Sequence, residues 1–493
     1  MTRASRPTAP SAGRTAGPLP DRTATRRPGR TVGPLPEYTT APRPGRTTAR
    51  RPRRFVVVGA GVLGACVAAR LAEAGAEVTL LEQAEPGHAA SRWSFAWLNS
   101  NDKGPRAYHD LNHAGMRAWA GLAADPGGTA DPIGTAGPGG VAGTGGTAGQ
   151  GGAAWYRPTG NLEWAVDAPG WERLAARVRR LADWGYQARL IGAAEAAELE
   201  PALRLPRSVA QVAWFPAEGY LVTGPLVSHQ VRRAVRHGAR LLTGQPGRVT
   251  GLDAGGGAVR TAAGEVIRAD AVVCCAGRWV PELAALAGAA CPVPLVPWAA
   301  PGAEAPGLVV RAGPVTPPGP ARVLHAPQVY LRPHEGGMVQ LEAPDAAVDL
   351  HTPDAVLGRW ADELLRRARR VVRGLDRAGV AGYRVCVRPM PADGRSIVGP
   401  LPGADHLYLA VTHSGVTLAA HLAGLITAEL TGGAQAAELA PLPPRPVPGR
   451  GQRGRALTRH SGQSAPRSKN GDRQPARRRA AVSRVREQVV WMV

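Results

Sequence analysis

Cysteine is sparse in this chain of 493 residues, and its placement gives no sign of pairing. Cys66, Cys274, Cys275, Cys291 and Cys386 form no CxxC pair and no disulfide-like spacing, and their settings are apolar. That excludes a disulfide-stapled scaffold and predicts a reducing, cytoplasmic interior. Long apolar runs are missing as well. No stretch can span a bilayer, the best candidate being a glycine-interrupted segment near the start. No apolar core follows the N-terminal arginines, which argues against a secretory signal, and the prolines among them break the amphipathic helix of a transit peptide. No His or Glu stands out as a dedicated acid or base.

The net charge of +23 would by itself suggest a polyanionic partner, but it lies at the ends. Residues 1–54 carry thirteen arginines against two acids, and residues 445–493 carry thirteen basic residues against two acids. The body between them holds 34 basic and 33 acidic residues, so it is close to neutral. Both ends are rich in Arg, Pro, Gly, Ser and Thr and poor in large apolar residues, the composition of disordered tails. The first repeats GRTAGPLPDRT (Gly13 to Thr23) as GRTVGPLPEYT (Gly29 to Thr39), a low-complexity duplication. Solvated tails are the plainer reading, and the neutral body argues against a nucleic-acid partner.

What is present begins at FVVVGAGVLGACVAARLAEAGAEVTLLE, Phe55 to Glu82. A short apolar run turns through Gly59, Gly61 and Gly64, continues as a helix to Gly75, and a second apolar run closes on Glu82. The glycines allow a tight turn, close backbone approach to a pyrophosphate, and tight helix–strand packing. The helix N-terminus offers unpaired N–H groups to phosphates, and Glu82 stands where a carboxylate accepts from a ribose hydroxyl. Strand, glycines, helix and acid in this order predict dinucleotide binding.

Further along, a helix runs through Leu111, Met116 and Trp119, and residues 121–154 form a flexible Gly-rich insertion. His109 and His113 share a helix face, but no third metal ligand accompanies them, so polar-face histidines are expected. WYRPTGNLEWAV reads as strands around a turn, and a second βα block follows Tyr220. DAVVCCAGRWVPEL gives a buried strand on which Cys274 and Cys275 point to opposite faces, then a turn at Gly277 and a helix. QVYLRP and GMVQLEA flank a turn. A helix follows over 354–372, its arginines 366, 367, 369 and 370 read as a solvated face. The last folded block places a glycine-rich turn after Thr412 before a buried helix. Nucleotide-type βα pieces at start, middle and end, with β-rich pieces between, imply two interleaved domains.

Three of these blocks resemble the D-amino-acid oxidase, glycine oxidase and sarcosine oxidase superfamily of FAD-dependent amine oxidoreductases. The first matches GxGxxGxxxAxxLAxxGxxVxLLE, VVCCAGRW is similar to the family's VVxAAGxW, and THSGVTLA is similar to GHSGxTxAP. The resemblance implies an α/β fold: a Rossmann-like FAD-binding domain (55–100, 220–290 and 385–440) interleaved with a β-sheet-based α+β substrate domain (101–219 and 291–384), flanked by disordered basic tails. It implies FAD contacts from Gly59, Gly61, Gly64, Glu82, Ser91, Arg92, Val249, Ala276 and Gly277. His413, Ser414, Gly415, Val416 and Thr417 are implied near the flavin pyrimidine, where donors stabilise negative charge. Arg388, in CVRPMPADG, matches the family arginine that forks the substrate carboxylate; a salt bridge to Asp393 or a nearby Glu is the alternative reading. Tyr330 is either a carboxylate cap or a core aromatic. Cys386 falls where sarcosine oxidases link flavin covalently, although most relatives have a small residue there, so a covalent link and an inert thiol both stand.

The function so implied is oxidation of the C–N bond of an amino acid or related amine by hydride transfer to flavin, giving an imine that hydrolyses. Oxygen or another acceptor would take the electrons. The alternatives are an FAD-dependent enzyme modifying aminomethyl groups on tRNA and a non-catalytic FAD-binding subunit.

Overall fold

The computed structural model describes residues 53–124, 153–253, 255, 257–291, 294–296, 305–433, 436–440 and 442. The expected tails and most of the Gly-rich insertion lie outside the described residues. The flanks of that insertion differ from expectation: helix Arg106–Ala124 runs through 121–124, and Ala153 is buried. Leu122 and Ala123 extend the buried stripe of that helix, which carries it past Gly121.

A six-stranded sheet forms the nucleotide-type half. Its order is Ile397–Leu401, Ala404–Val411, Ala271–Cys274, Arg54–Val58, Glu77–Glu82, Arg240–Thr243. All pairs are parallel except the first. Side chains along the first strand alternate between two cores, as period-two geometry requires. Phe55 and Val57 pack with helices Val62–Glu73, Thr223–Arg236 and Gly415–Gly432, whereas Val56 and Val58 face a second core. That second core is shared with helix Val280–Leu286 and a small antiparallel sheet of Val249–Leu252, Ala258–Thr261 and Val266–Arg268. Cys274 belongs to one core and Cys275 to the other, so the adjacent thiols do point to opposite faces.

Helix Val62–Glu73 is buried almost all round, because its neighbours cover both the sheet side and the flanks. Ala65, Ala68 and Ala69 are fully enclosed, and small side chains are what allow so close a layer. Burying Leu71 in the same layer contributes about 2 kcal/mol.

The second half is an eight-stranded sheet in the order Gly379–Val387, Pro306–Gly313, Met338–Glu342, Val329–His334, Val323–Ala326, Asn161–Glu163, Gln211–Phe215, Arg189–Gly192. Only the pairing of Val323–Ala326 with Asn161–Glu163 is parallel. Helix Asp354–Val371 covers one face through Ala361, Leu364, Leu365 and Ala368, the i, i+3, i+4, i+7 stripe. Its arginines are not simply solvated. Arg367 donates to Glu363 at 2.8 Å and Asp345 at 2.7 Å, and Arg369 donates to the carbonyls of Leu375 and Ala378. Strand Gly379–Val387 belongs wholly to this sheet, so the expected boundary at 385 falls inside a strand. Helix Arg106–Ala124, expected with the substrate half, packs in the core of the nucleotide half.

Candidate functional site

The carboxyl ends of the parallel strands gather one group of residues. After Val58 the chain turns at Gly59, with φ +98°, and a Cβ there would stand 2.8 Å from the carbonyl oxygen of Cys275. At Gly64 a Cβ would lie 1.8 Å from the oxygen of Gly59, so helix and turn are pressed together as only glycine permits. Gly61 is the N-cap of the helix and has no side chain to satisfy it. Ser91 takes that role instead, its Oγ accepting the Val62 N–H at 3.0 Å. The Glu82 carboxylate accepts the N–H groups of Ala60 at 2.9 Å and Ala84 at 3.0 Å, which fixes it at the mouth of the turn. Ala276, separated from strand Ala271–Cys274 by Cys275 alone, abuts Gly59, and Gly277 follows it. Val249 opens its strand against the core that holds Leu81. Arg92 is exposed, and its carbonyl accepts from Arg311 at 2.6 Å, tying this loop to the large sheet.

This cradle fits a dinucleotide: a glycine turn of minimum bulk, a helix N-terminus, and an oriented carboxylate where a ribose would lie.

A cavity of about 150 Å³ lies where the two halves meet. One wall is the 93–103 segment, with Trp93, Phe95, Trp97, Asn99 and Lys103. The floor is the large sheet, with Gly307, Val309, Glu342, Cys386 and Arg388. The third side is the start of helix Gly415–Gly432, with His413, Ser414, Val416 and Thr417. Ser414, the N-cap, gives the helix no side-chain cap, because its hydroxyl accepts from Tyr108 Oη at 3.2 Å. Trp119 Nε1–H donates to the Val416 carbonyl at 2.8 Å and pins this terminus in place.

The cavity is electrostatically mixed. Burial lowers the pKa of Lys103, and the nearby Arg388 guanidinium lowers it further. Burial, with Lys103 and Arg388 beside it, brings His413 down to about 4, so its imidazole is neutral at pH 7. Burial raises the Glu342 carboxyl, and Arg388 and Arg332 pull it partly back. Cys386 is pushed up to about 12 by burial and by Glu342, which keeps a protonated thiol 3.8 Å from the Ala90 carbonyl. The Arg388 backbone N–H donates to Ala305 O at 2.9 Å and its side-chain Nε at 3.5 Å, while Asp393 Oδ1 accepts the Arg395 backbone N–H at 2.9 Å.

Of the residues named from sequence, the structure brings Arg388, Cys386, His413, Ser414, Val416 and Thr417 to this cavity. Tyr330 stands one strand beyond Glu342, outside the lining; its ring lies 4.4 Å from that of His325, and burial raises its hydroxyl to about 12. Two charged wall residues were missed. Glu342 was legible as the outward partner of Gln340 in the alternating strand MVQLE. Lys103 was legible by rarity, since the chain has only one other lysine, Lys469.

Behind Trp97 lies a buried polar network that sequence gave no way to assemble. Glu218 accepts from Trp97 Nε1 at 2.8 Å, Asn161 Nδ2 at 3.0 Å and the Tyr186 hydroxyl at 2.7 Å. Asn161 in turn meets His325 Nδ1 at 2.7 Å. His109 is also fully buried, contrary to its expected polar face, because its Nδ1 is held by the Ser100 carbonyl at 2.8 Å under Trp184 and Tyr186. Among the described residues no cluster of His, Cys, Asp or Glu is placed to hold a metal ion, and no helix is long and apolar enough to cross a membrane.

Residues 54–430 match the family model described as FAD dependent oxidoreductase. Solved structures share the fold. L-proline dehydrogenase from P. horikoshii superposes with a TM-score of 0.64 at 17% identity, covering 78% of this chain and 94% of that one. Glycine oxidase from Geobacillus kaustophilus gives 0.62 at 21%, covering 80% and 100%. Iminodiacetate oxidase from Chelativorans sp. BNC1 gives 0.62 at 22%, covering 80% and 99%. No curated protein sequence matches the chain.

Proposed function

The chain belongs to the FAD dependent oxidoreductase family, and on that footing we propose that it oxidises the C–N bond of a small amino acid or carboxylate-bearing amine. The observation that carries this reading is Arg388 on the floor of a small cavity, beside an aromatic wall and a helix N-terminus. Bound FAD would supply the two-electron acceptor. Gly59, Gly61, Gly64, Glu82, Ser91, Val249, Ala276 and Gly277 would hold its adenine dinucleotide end, and the 413–417 turn would hold its other end.

The remaining work falls to the protein. Arg388 offers a planar, paired set of donors that matches a carboxylate, fixing the substrate's α-carbon in one orientation. Trp93, Phe95 and Trp97 narrow the cavity and exclude water. The start of helix Gly415–Gly432 favours negative charge at its end of the site. The solved relatives are named for L-proline, glycine and iminodiacetate, all small amines bearing carboxylate, the class that Arg388 on the cavity floor suits.

Anaerobic mixing of the yellow protein with a panel of amino acids and amines tests the reading. At least one carboxylate-bearing amine should bleach the flavin band. Arg388→Ala should raise KM for it by about 100-fold or more, the loss expected when one partner of a desolvated ion pair is removed. A flavin that no amine reduces would overturn the proposal.

A further inference from the structure

Three acids among the described residues are held by donors. Glu218 accepts three side-chain donors, Glu200 accepts the N–H groups of Ala321 and Arg322, and Glu163 pairs with Arg177. Glu342 is the only acid among the described residues lining the cavity, and among those residues its carboxylate accepts no hydrogen bond. A carboxylate has about four acceptor sites, and Glu342 is half-buried on the cavity floor. A vacant acceptor turned to a cavity calls for a donor from the ligand.

Sheet register says which donor. Glu342 stands opposite Val309, and its Oε1 reaches over Gly307, where a Cβ would come within 3.1 Å. Gly307 pairs with Cys386, and Arg388 follows two residues later. Arg388 and Glu342 thus line the same floor of the cavity. An α-amino acid presents a carboxylate for the one and a nitrogen for the other.

Resting on the C–N oxidation proposed above, we infer that Glu342 binds the substrate's ammonium group and takes its proton. One N–H bond breaks, its electron pair stays on nitrogen, and the proton forms an O–H bond on the Glu342 carboxylate. The resulting lone pair is what nitrogen needs to form the C=N bond as the α C–H electron pair departs to the family's acceptor. The surroundings suit this transfer. Burial raises the proton affinity of Glu342 toward that of an amine, while Arg388 and Arg332 favour its carboxylate form. Tyr330 and Cys386 beside it stay protonated, and across the cavity His413 is neutral and Lys103 is drawn down by burial and Arg388.

The test compares the wild-type holoenzyme with Glu342→Gln, which keeps shape and removes the base. With the best amine found by flavin bleaching, the variant should lose about 100-fold in kcat/KM at pH 7 and recover to within about tenfold near pH 10, where the substrate amine deprotonates unaided. A loss of equal size at every pH, or none, overturns the assignment. Proton balance gives a second readout independent of turnover. Binding of 2-aminoisobutyrate, which has no α-hydrogen, is measured by calorimetry in two buffers of different ionisation heat at pH 7. The wild type should release no net proton, and release of about one proton overturns the inference even if the variant fails to fold. If no amine bleaches the wild type, the oxidase reading itself falls; if the wild type is bleached and Glu342→Gln tracks it across pH, only the role of Glu342 falls.

Discussion

Gly307 is the space in which the Glu342 carboxylate lies: a Cβ at 307 would stand 3.1 Å from Oε1. The glycine sits in a regular strand, so alanine there costs little in backbone conformation, and the effect falls on the carboxylate. Gly307→Ala should fold, retain FAD and keep its Tm within about 3 °C. Its kcat/KM should drop about tenfold, because small misplacements of a reacting group are expensive. Unchanged kinetics would show that Glu342 is not held against Gly307.

Cys386 bears on the two flavin readings by a different route. Its thiol is buried and pushed up to about 12, so almost none is thiolate at neutral pH. The thiolate is the nucleophile in sulfur chemistry, and its absence disfavours a bond to the flavin. Acid precipitation should therefore leave a colourless pellet and a yellow supernatant. Colour retained in the pellet would restore the covalent link, and Cys386→Ser would then have to abolish it.

Much of this architecture was legible in advance because local rules and tertiary packing agree there. The Phe55 to Glu82 unit carries its whole logic in sequence: Gly59 and Gly64 are where only glycine fits, and Glu82 caps the turn they make. The helix after Thr412 was equally plain from its apolar run. What escaped were contacts set by pairing between distant strands. Nothing near Glu342 says that Gly307 will open room for it, and nothing near Trp97 says that Glu218 will stand behind its indole. His109 misled for the same reason: its helix face is polar by composition, yet Trp184 and Tyr186 close over it.

Glu218 gives the protein a pH-dependent weakness. Burial raises its carboxyl to about 8, with the Glu163 charge adding to the rise, despite three donors. In the unfolded chain it titrates near the usual 4.5. Between those values the folded form holds a proton that the unfolded form has lost, so this group's contribution to stability falls as pH rises from about 4.5 to about 8. Each tenfold difference in acidity is worth about 1.4 kcal/mol. Glu218→Gln can still accept from Trp97 and Asn161 on its oxygen and donate to the Tyr186 hydroxyl. Its Tm relative to wild type should therefore climb through pH 5 to 9, by roughly 3 °C or more. A difference that stays flat with pH would mean Glu218 is ionised throughout.

Lys103 is the only lysine among the described residues of a chain that otherwise uses arginine, and it lines the cavity. Arginine stays charged at any working pH, whereas a buried ammonium beside a guanidinium gives up its proton more easily. Burial and Arg388 both lower the Lys103 pKa from its usual 10.5. Its charge therefore supports anion binding at low pH and is lost as pH rises through that lowered value. Benzoate, a carboxylate without an amine, isolates this effect from Glu342. Its Kd for the holoenzyme, read from the flavin absorption band, should weaken with rising pH below 10.5. In Lys103→Met it should be about tenfold weaker at pH 7 and nearly flat with pH, as expected when one partly buried charge is removed. Lys103→Arg should restore affinity but keep the flat profile, because the guanidinium does not titrate. An unchanged pH dependence in both variants would assign the titration to another group and leave Arg388 as the sole cation acting on the carboxylate.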